Sequence, residues 1–272
     1  MDEALKPRID SPSPRTAGLP TVQVGGVTLH DLTEAQCIAH VLAELDAGRG
    51  GWLVTLNVNH LRTVRCDPAY AALCTQATLT VADGMPLVWA SRLQGTALRA
   101  RVAGSDLLSS LSVAAAGRGR SVFLLGGAPG TADACAAVLR ERCPDLRVAG
   151  TACPEVTLAR IQDDTNELAR HLAEAAPDIV FVALGTPKED FLIETLRSVL
   201  PHAWFVGVGI SFSFLSGEIR RAPRWMQQAG LEWLHRLRQE PWRLAGRYLL
   251  HGAPIAVSLL AGALARRFRP RT

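Results

Sequence analysis

The chain has 272 residues, enough for one large domain or one domain with an appendage, and 48% of them are hydrophobic against 20% charged. That balance supplies a core and excludes general disorder. The net charge of +4 is unevenly held: from Gly217 onward eleven arginines face three glutamates, a net +8 that leaves the preceding residues at −4. A mildly acidic body with a strongly basic end points to an anionic surface or polyanion as the partner of that end. The six cysteines form no C-x-x-C pair and no short cluster with histidine. They read as reduced thiols of a cytoplasmic protein, not as a disulfide framework or zinc site.

Residues 1–20 hold Pro7, Pro12, Pro14 and Pro20 among Ser, Arg and Asp, the composition of a flexible leader. The acidic start Met1-Asp2-Glu3 lacks the apolar core of a signal peptide. Val22–Leu29 alternates around Gly25-Gly26 and predicts a small hairpin. Leu32–Ala47 has helical spacing, with Thr33 placed as its cap.

Short apolar runs follow at Trp52–Leu56, Leu79–Ala82, Val122–Leu125, Ile179–Leu184 and Trp204–Val208. Between them the spacing predicts helices over Asn59–Gln76, Met85–Leu93, Ser105–Ala116, Thr131–Arg142, Thr157–Ala175 and Lys188–Leu200. Strands without polar alternation, separated by helices, imply a sheet covered on both faces: a doubly wound, Rossmann-like α/β domain with a mostly parallel sheet over 21–216. From 217 to 272 the texture changes to a Trp/Arg-rich helical appendage. Ala222–Arg238 reads as helix, Pro241 interrupts, and Tyr248–Ala265 is 18 residues without a formal charge. Trp beside Arg favours an anionic bilayer surface over nucleic acid, for which no module is legible. His251, Gly252, Pro254 and Gly262 dilute the uncharged stretch, so interfacial or hairpin-like packing is expected in preference to a span.

Each strand ends in residues suited to a site, and in a parallel sheet those ends share one edge. The Leu79 run stops at Asp83-Gly84, with Pro86 opening a helix. Asp83 is thus either a helix cap or a carboxylate on the rim of a crevice. Thr55, Asn57, Asn59 and Lys188 converge on the same edge. The turns Gly126-Gly127-Ala128-Pro129-Gly130, Gly185-Thr186-Pro187 and Gly207-x-Gly209 let backbone approach a phosphate or merely serve chain geometry. Arg101 can face an anion, with Gly104 close to the ligand; otherwise Ser105 or Asp106 simply caps the next helix. His60, the one histidine near this edge, is expected to make a structural hydrogen bond. There is no dinucleotide glycine fingerprint, Walker loop, nucleophile elbow or Asp-x-Asp, so neither NAD nor a metal is expected.

Seven segments in order, Thr55-Leu-Asn-Val-Asn-His60, Ala82-Asp-Gly-Met-Pro86, Arg101-Val-x-Gly-Ser-Asp106, Leu125-Gly-Gly127, Leu184-Gly-Thr-Pro-Lys188, Arg221-Ala-Pro-Arg-Trp-Met226 and Gly230-Leu-Glu-Trp233, resemble the bacterial WecG/TagA/CpsF glycosyltransferases, family 26. The resemblance covers about residues 22 to 250. It implies an inverting enzyme on the inner face of the plasma membrane. Such an enzyme transfers a hexosyl or N-acetylhexosaminyl unit from a UDP-sugar to a polyprenyl-diphosphate-linked saccharide in cell-surface or exopolysaccharide synthesis. By similarity Asp83 is the general base and Thr55 and Asn57 line the sugar pocket. Asn59, Gly84, Arg101, Gly104, Asp106, Gly126, Gly127, Gly185, Pro187, Lys188 and Glu189 complete the substrate-binding set. Arg220, Arg221 and Arg224 reach the diphosphate and the membrane. The family usually has Gln-Glu after Pro-Lys; this chain has Glu189-Asp190. The alternatives are a non-catalytic nucleotide-binding regulator docked on anionic membrane and an oxidoreductase that lacks its glycine fingerprint. Self-association through the appendage stays open.

Overall fold

The computed structural model describes residues 14–158, 161 and 165–268. Most of the expected leader lies outside these. From Pro14 a 3₁₀ turn packs onto the body, where Thr16 is buried against His30 with Oγ1 3.1 Å from Nε2. The hairpin forms as β1 (Thr21–Val24) and β2 (Val27–His30), antiparallel. Gly25 and Gly26 both sit at positive φ, 63° and 90°, as its two-residue turn demands. Helix α1 (Glu34–Asp46) starts in a capping box: the Gln36 N–H donates to Thr33 Oγ1, and the Thr33 N–H donates to Gln36 Oε1.

Six parallel strands form the main sheet: β3 (Gly51–Leu56), β4 (Leu79–Ala82), β5 (Ser121–Gly126), β6 (Arg147–Ala152), β7 (Ile179–Ala183) and β8 (Trp204–Gly207), in the order 4-3-8-7-5-6. Helices cover both faces, so the fold is a doubly wound α/β domain with a helical appendage. Two hydrophobic layers result. Trp52, Phe123 and Phe205 belong to one, and Trp204, Phe181 and Phe212 to the other, all fully buried. The outer edge of β4 is closed by the hairpin, where the Thr80 N–H donates to His30 Nδ1 at 3.1 Å.

β6 was not expected from the sequence. Arg147-Val-Ala-Gly-Thr-Ala152 is a half-exposed edge strand without an apolar run, and Gly150 admits the Phe123 ring so closely that an added Cβ would lie 2.6 Å from it. The helix expected over Asn59–Gln76 is two, α2 (Val58–Cys66) and α3 (Pro68–Cys74). Pro68 cannot continue α2, and Asp67 caps α3 by accepting from the Ala69 and Tyr70 N–H groups. α4 (Met85–Leu93) and α6 (Thr131–Arg142) match expectation, α5 (Gly104–Ala116) begins one residue early, and α8 (Lys188–Leu196) ends four early. Within the stretch expected over 157–175, the described helix is α7 (Asn166–Ala175); residues 159, 160 and 162–164 lie outside the description.

After α9 (Ser211–Ser216) the chain enters the appendage. The helix expected over Ala222–Arg238 is α10 (Arg224–Gln228) and α11 (Glu232–Gln239), separated at Gly230 with φ 71°. Pro241 does not merely interrupt: it starts α12 (Pro241–Arg267), 27 residues, π-wound over Gly246–Gly252. No hairpin reversal occurs in it. By length and composition α12 is apolar enough to cross a membrane, yet Leu259 and Ala263 bury against the body. Leu259 lies so close to Gly25 that a Cβ there would come within 2.6 Å.

Candidate active site

The carboxyl ends of β4, β3, β8, β7 and β5 open into one cavity of about 870 Å³, walled on its far side by α11 and α12. Thr55, Asn57, Asn59, Asp83, Gly84, Arg101, Gly127, Gly185 and Glu189 all line it. Asp83 does not cap its own helix; Gly84 stands at the N-cap of α4 with no side-chain bond. The Asp83 carboxylate instead accepts the Gly104 N–H from the first turn of α5. Its surroundings of protein push its pKa up to about 7, burial first, with the Glu232 and Asp106 charges adding and Arg101 and the Gly104 N–H opposing. Such a group is ionised in part near neutrality and takes up a proton readily.

Several expected residues have other work. Thr55 donates its hydroxyl to the Gly207 carbonyl at 3.1 Å. Gly104 presses between strands, where a Cβ would lie 3.1 Å from Thr55 Oγ1 and 3.2 Å from Val208 Cα; it supports the floor and does not line the cavity. Asn57 Oδ1 caps α2, accepting from the Asn59 and His60 N–H groups. Gly126, at φ 105°, backs onto the Ala183 carbonyl outside the cavity. Lys188 is exposed at the start of α8, and neither it nor Pro187 lines the cavity. Asp106 turns to Arg101 and Arg221 instead of capping α5. Arg220 and Arg224 are exposed on the appendage, and Arg221 is held in ion pairs; none of the three lines the cavity.

The glycine turns also offer less than their sequence suggests. The Gly127 N–H donates to the Ala183 carbonyl at 2.8 Å, and those of Gly185 and Gly209 donate to Glu189 Oε2 at 2.9 and 3.1 Å. Besides Arg101, the cationic groups that reach the cavity come from elsewhere: Arg62 on α2, Arg236 on α11, and Arg243 and Arg247 on α12. Arg236 lies over the Phe214 ring at 5.6 Å, and Arg243 pairs with Glu240 at 2.5 Å. Among the described residues, Arg62 and Arg247 have no carboxylate at ion-pair distance. No single motif in the sequence marks these four. For Arg236, Arg243 and Arg247 the available signal is the helical spacing on either side of Pro241; Arg62 has none.

The family described as "Glycosyl transferase WecG/TagA/CpsF family" matches residues 22–269. The chain belongs to this family. Over 201 residues, 73% of the chain and 76% of the relative, it is 34% identical to an N-acetylglucosaminyldiphosphoundecaprenol N-acetyl-beta-D-mannosaminyltransferase of Bacillus spizizenii. A protein of the same name from Bacillus subtilis is 31% identical over 199 residues, 73% of the chain and 75% of the relative.

Against this WecG/TagA/CpsF background, the Glu189-Asp190 pair sits in a buried cluster with His60 and Tyr70. The Tyr70 hydroxyl donates to Asp190 Oδ2 at 2.7 Å, and His60 Nε2 meets Thr186 Oγ1 at 2.7 Å. His60, pushed down to about 3 by burial and then by Arg247, is neutral, so its 3.9 Å approach to Asp190 is not an ion pair. Burial raises both Glu189 and Asp190; the Asp190 charge raises Glu189 further, while the Tyr70 hydroxyl opposes the rise in Asp190. The spacing of His60, Glu189 and Asp190 would suit a cation. Each side chain already has protein partners, however, and the cluster reads as a satisfied structural network.

Proposed function

We propose that the chain is an inverting glycosyltransferase that moves a sugar from a UDP-sugar to a polyprenyl-diphosphate-linked saccharide, with Asp83 as general base. The observation that carries this reading is the position of Asp83. It lies on the floor of a cavity whose outer wall is an arginine-bearing appendage, with its proton affinity raised to about 7. A hydroxyl of the acceptor sugar gives its proton to Asp83 as its oxygen attacks the anomeric carbon; the bond to UDP breaks and the electron pair leaves with the diphosphate. Because the Gly127, Gly185 and Gly209 N–H groups are already bonded within the protein and Arg236 and Arg243 share Glu240, Arg62 and Arg247 are the groups that take up diphosphate charge.

The Bacillus relatives are named for an N-acetylglucosaminyl-diphosphoundecaprenol acceptor and an N-acetylmannosaminyl transfer. UDP-N-acetylmannosamine and that lipid are therefore the first donor and acceptor to supply. The appendage supports a membrane role. Of the large hydrophobic side chains exposed among the described residues, all but Val113, Leu158 and Val199 lie between Trp225 and Phe268. Such a face, flanked by Arg220, Arg224 and Arg266, would rest on the anionic inner leaflet and admit a lipid-linked substrate from the bilayer.

The test is acceptor-dependent UDP release with a panel of UDP-sugars, beside Asp83→Asn. Release should fall by about 10²- to 10⁴-fold in the variant, with thermal stability kept. Full release by Asp83→Asn would move the base elsewhere. UDP binding without release for any donor and acceptor would return the reading to a regulator.

A further inference from the structure

Arg101, Asp106, Arg221 and Glu232 close a ring of four alternating charges. Arg101 Nη1 lies 3.2 Å from Glu232 Oε2, and its Nη2 lies 3.5 Å from Asp106 Oδ2. Arg221 Nη1 lies 2.5 Å from Asp106 Oδ1, and its Nε lies 3.3 Å from Glu232 Oε1. Each guanidinium therefore bridges both carboxylates, and the ring is neutral as a whole. Two corners belong to the α/β body, at the start of α5, and two to the appendage. Arg101 and Glu232 face the cavity beside Asp83, and Gly104, between the two body corners, donates its N–H to the Asp83 carboxylate.

This closure joins appendage docking to the surroundings of Asp83. Without Glu232, Arg101 keeps only the 3.5 Å contact to Asp106, and Asp83 is the remaining anion on which its charge acts. An arginine turned onto a carboxylate holds it ionised and makes it a poorer proton acceptor. We propose that Glu232 is a positioning residue: paired with Arg101, it holds that guanidinium off Asp83 and so keeps the base a ready proton acceptor. The proposal rests on the reading of Asp83 as base. The charged groups facing Asp83 are Arg101 and Asp106 from the body and Glu232 from α11, with the Gly104 N–H as the adjoining donor. Arg221 touches the ring but is not among the groups that shift Asp83.

That difference supplies the control. In the full-length protein, Glu232→Gln, Glu232→Asp and Arg221→Gln are compared by pH profile of kcat on the lipid-linked acceptor, and by hydrogen exchange over 224–240. Glu232→Gln should move the acid limb down by about one pH unit and lower kcat at pH 8 by about tenfold, with KM changed less than threefold. Glu232→Asp, which keeps the charge, should return the limb to its original pH. Arg221→Gln should raise exchange across 224–240 as much as Glu232→Gln does, yet leave the limb in place. An unmoved limb in Glu232→Gln, with Asp83→Asn inactive, would overturn the inference and leave the base intact. An active Asp83→Asn would remove the base reading itself, and the inference with it.

Discussion

The α/β body and the appendage hold their shapes by different means. In the body β4, β5, β7 and β8 are buried from both faces, so stability is spread over many side chains that water never reaches. α10 and α11 contain no buried residue, and α12 buries only Leu244, Leu259 and Ala263. The appendage is instead fastened along a narrow seam: Gly230 against Met85 and Trp89, the four-charge ring, and Ile255, Leu259, Leu260 and Ala263 of α12 against the body core. Distributed burial tolerates local damage poorly but reports it globally; a narrow seam lets one residue release a whole wall of the site while the core stands.

The two regions can be told apart with one residue type. Trp52→Ala removes a fully buried indole from the sheet and should cost about 3–5 kcal/mol of global stability, read by denaturant unfolding. Trp242→Ala removes an indole that is 98% exposed. It should leave the melting temperature unchanged and weaken binding to anionic vesicles by about tenfold. Equal loss of stability in both variants would abolish the contrast. Gly230→Ala tests the attachment itself. The residue has φ 71°, and an added Cβ would lie 2.7 Å from Met85 Cβ and from the Trp89 ring. A local cost of about 2–3 kcal/mol lowers the ratio of docked to free appendage roughly 30- to 150-fold. Exchange should rise over α10–α12 but stay unchanged in the six-stranded sheet. Uniform exchange increase would mean that the appendage and body unfold as one.

What the sequence makes legible follows the same division. Apolar runs such as Leu79–Ala82 and Ile179–Ala183 are fixed by burial on both faces, and a run of that kind can be read without a partner. β6 escapes because half-exposure at an edge imposes no run, and the Asp67-Pro68 break in the second predicted helix was punctuation passed over. At the site, the shared carboxyl edge of a parallel sheet places Thr55, Asn57, Asn59 and Asp83 on the cavity but wrongly adds Lys188, and the motifs of the family resemblance add Arg101 and Glu189. Arg62, Arg236, Arg243 and Arg247 arrive by tertiary folding: an amphipathic helix shows which residues share a face, but not that the face closes over a sheet edge. Arg220, Arg221 and Arg224 carry the motif's charges yet lie off the cavity: Arg220 and Arg224 point to solvent, and Arg221 is held by Asp106 and Glu232.

The smallest expected effect concerns Glu189, where the family resemblance leads one to expect glutamine. Glu189 is 3% exposed, and its Oε2 accepts from the Gly185 and Gly209 N–H groups, tying the ends of β7 and β8 together. A neutral amide oxygen accepts the same two bonds, so the position asks for an acceptor and not for a charge. Burial, and then the Asp190 charge, raise the Glu189 pKa above that of an unfolded glutamate. The folded state therefore binds the proton more tightly. Stability from this group is complete below the ordinary carboxylate range near pH 4 and is lost as pH rises through the raised value. Glu189→Gln keeps the bonds and has no proton to lose. Its melting temperature should match the parent at pH 4 and exceed it by about 3–5 °C at pH 8.5, measured by calorimetry at both values. A lower melting temperature at pH 8.5 would mean that the two N–H groups stabilise an ionised carboxylate by more than burial costs it. Glu189 would then stand as a fixed negative charge beneath the cavity arginines, not as a neutral stand-in for glutamine.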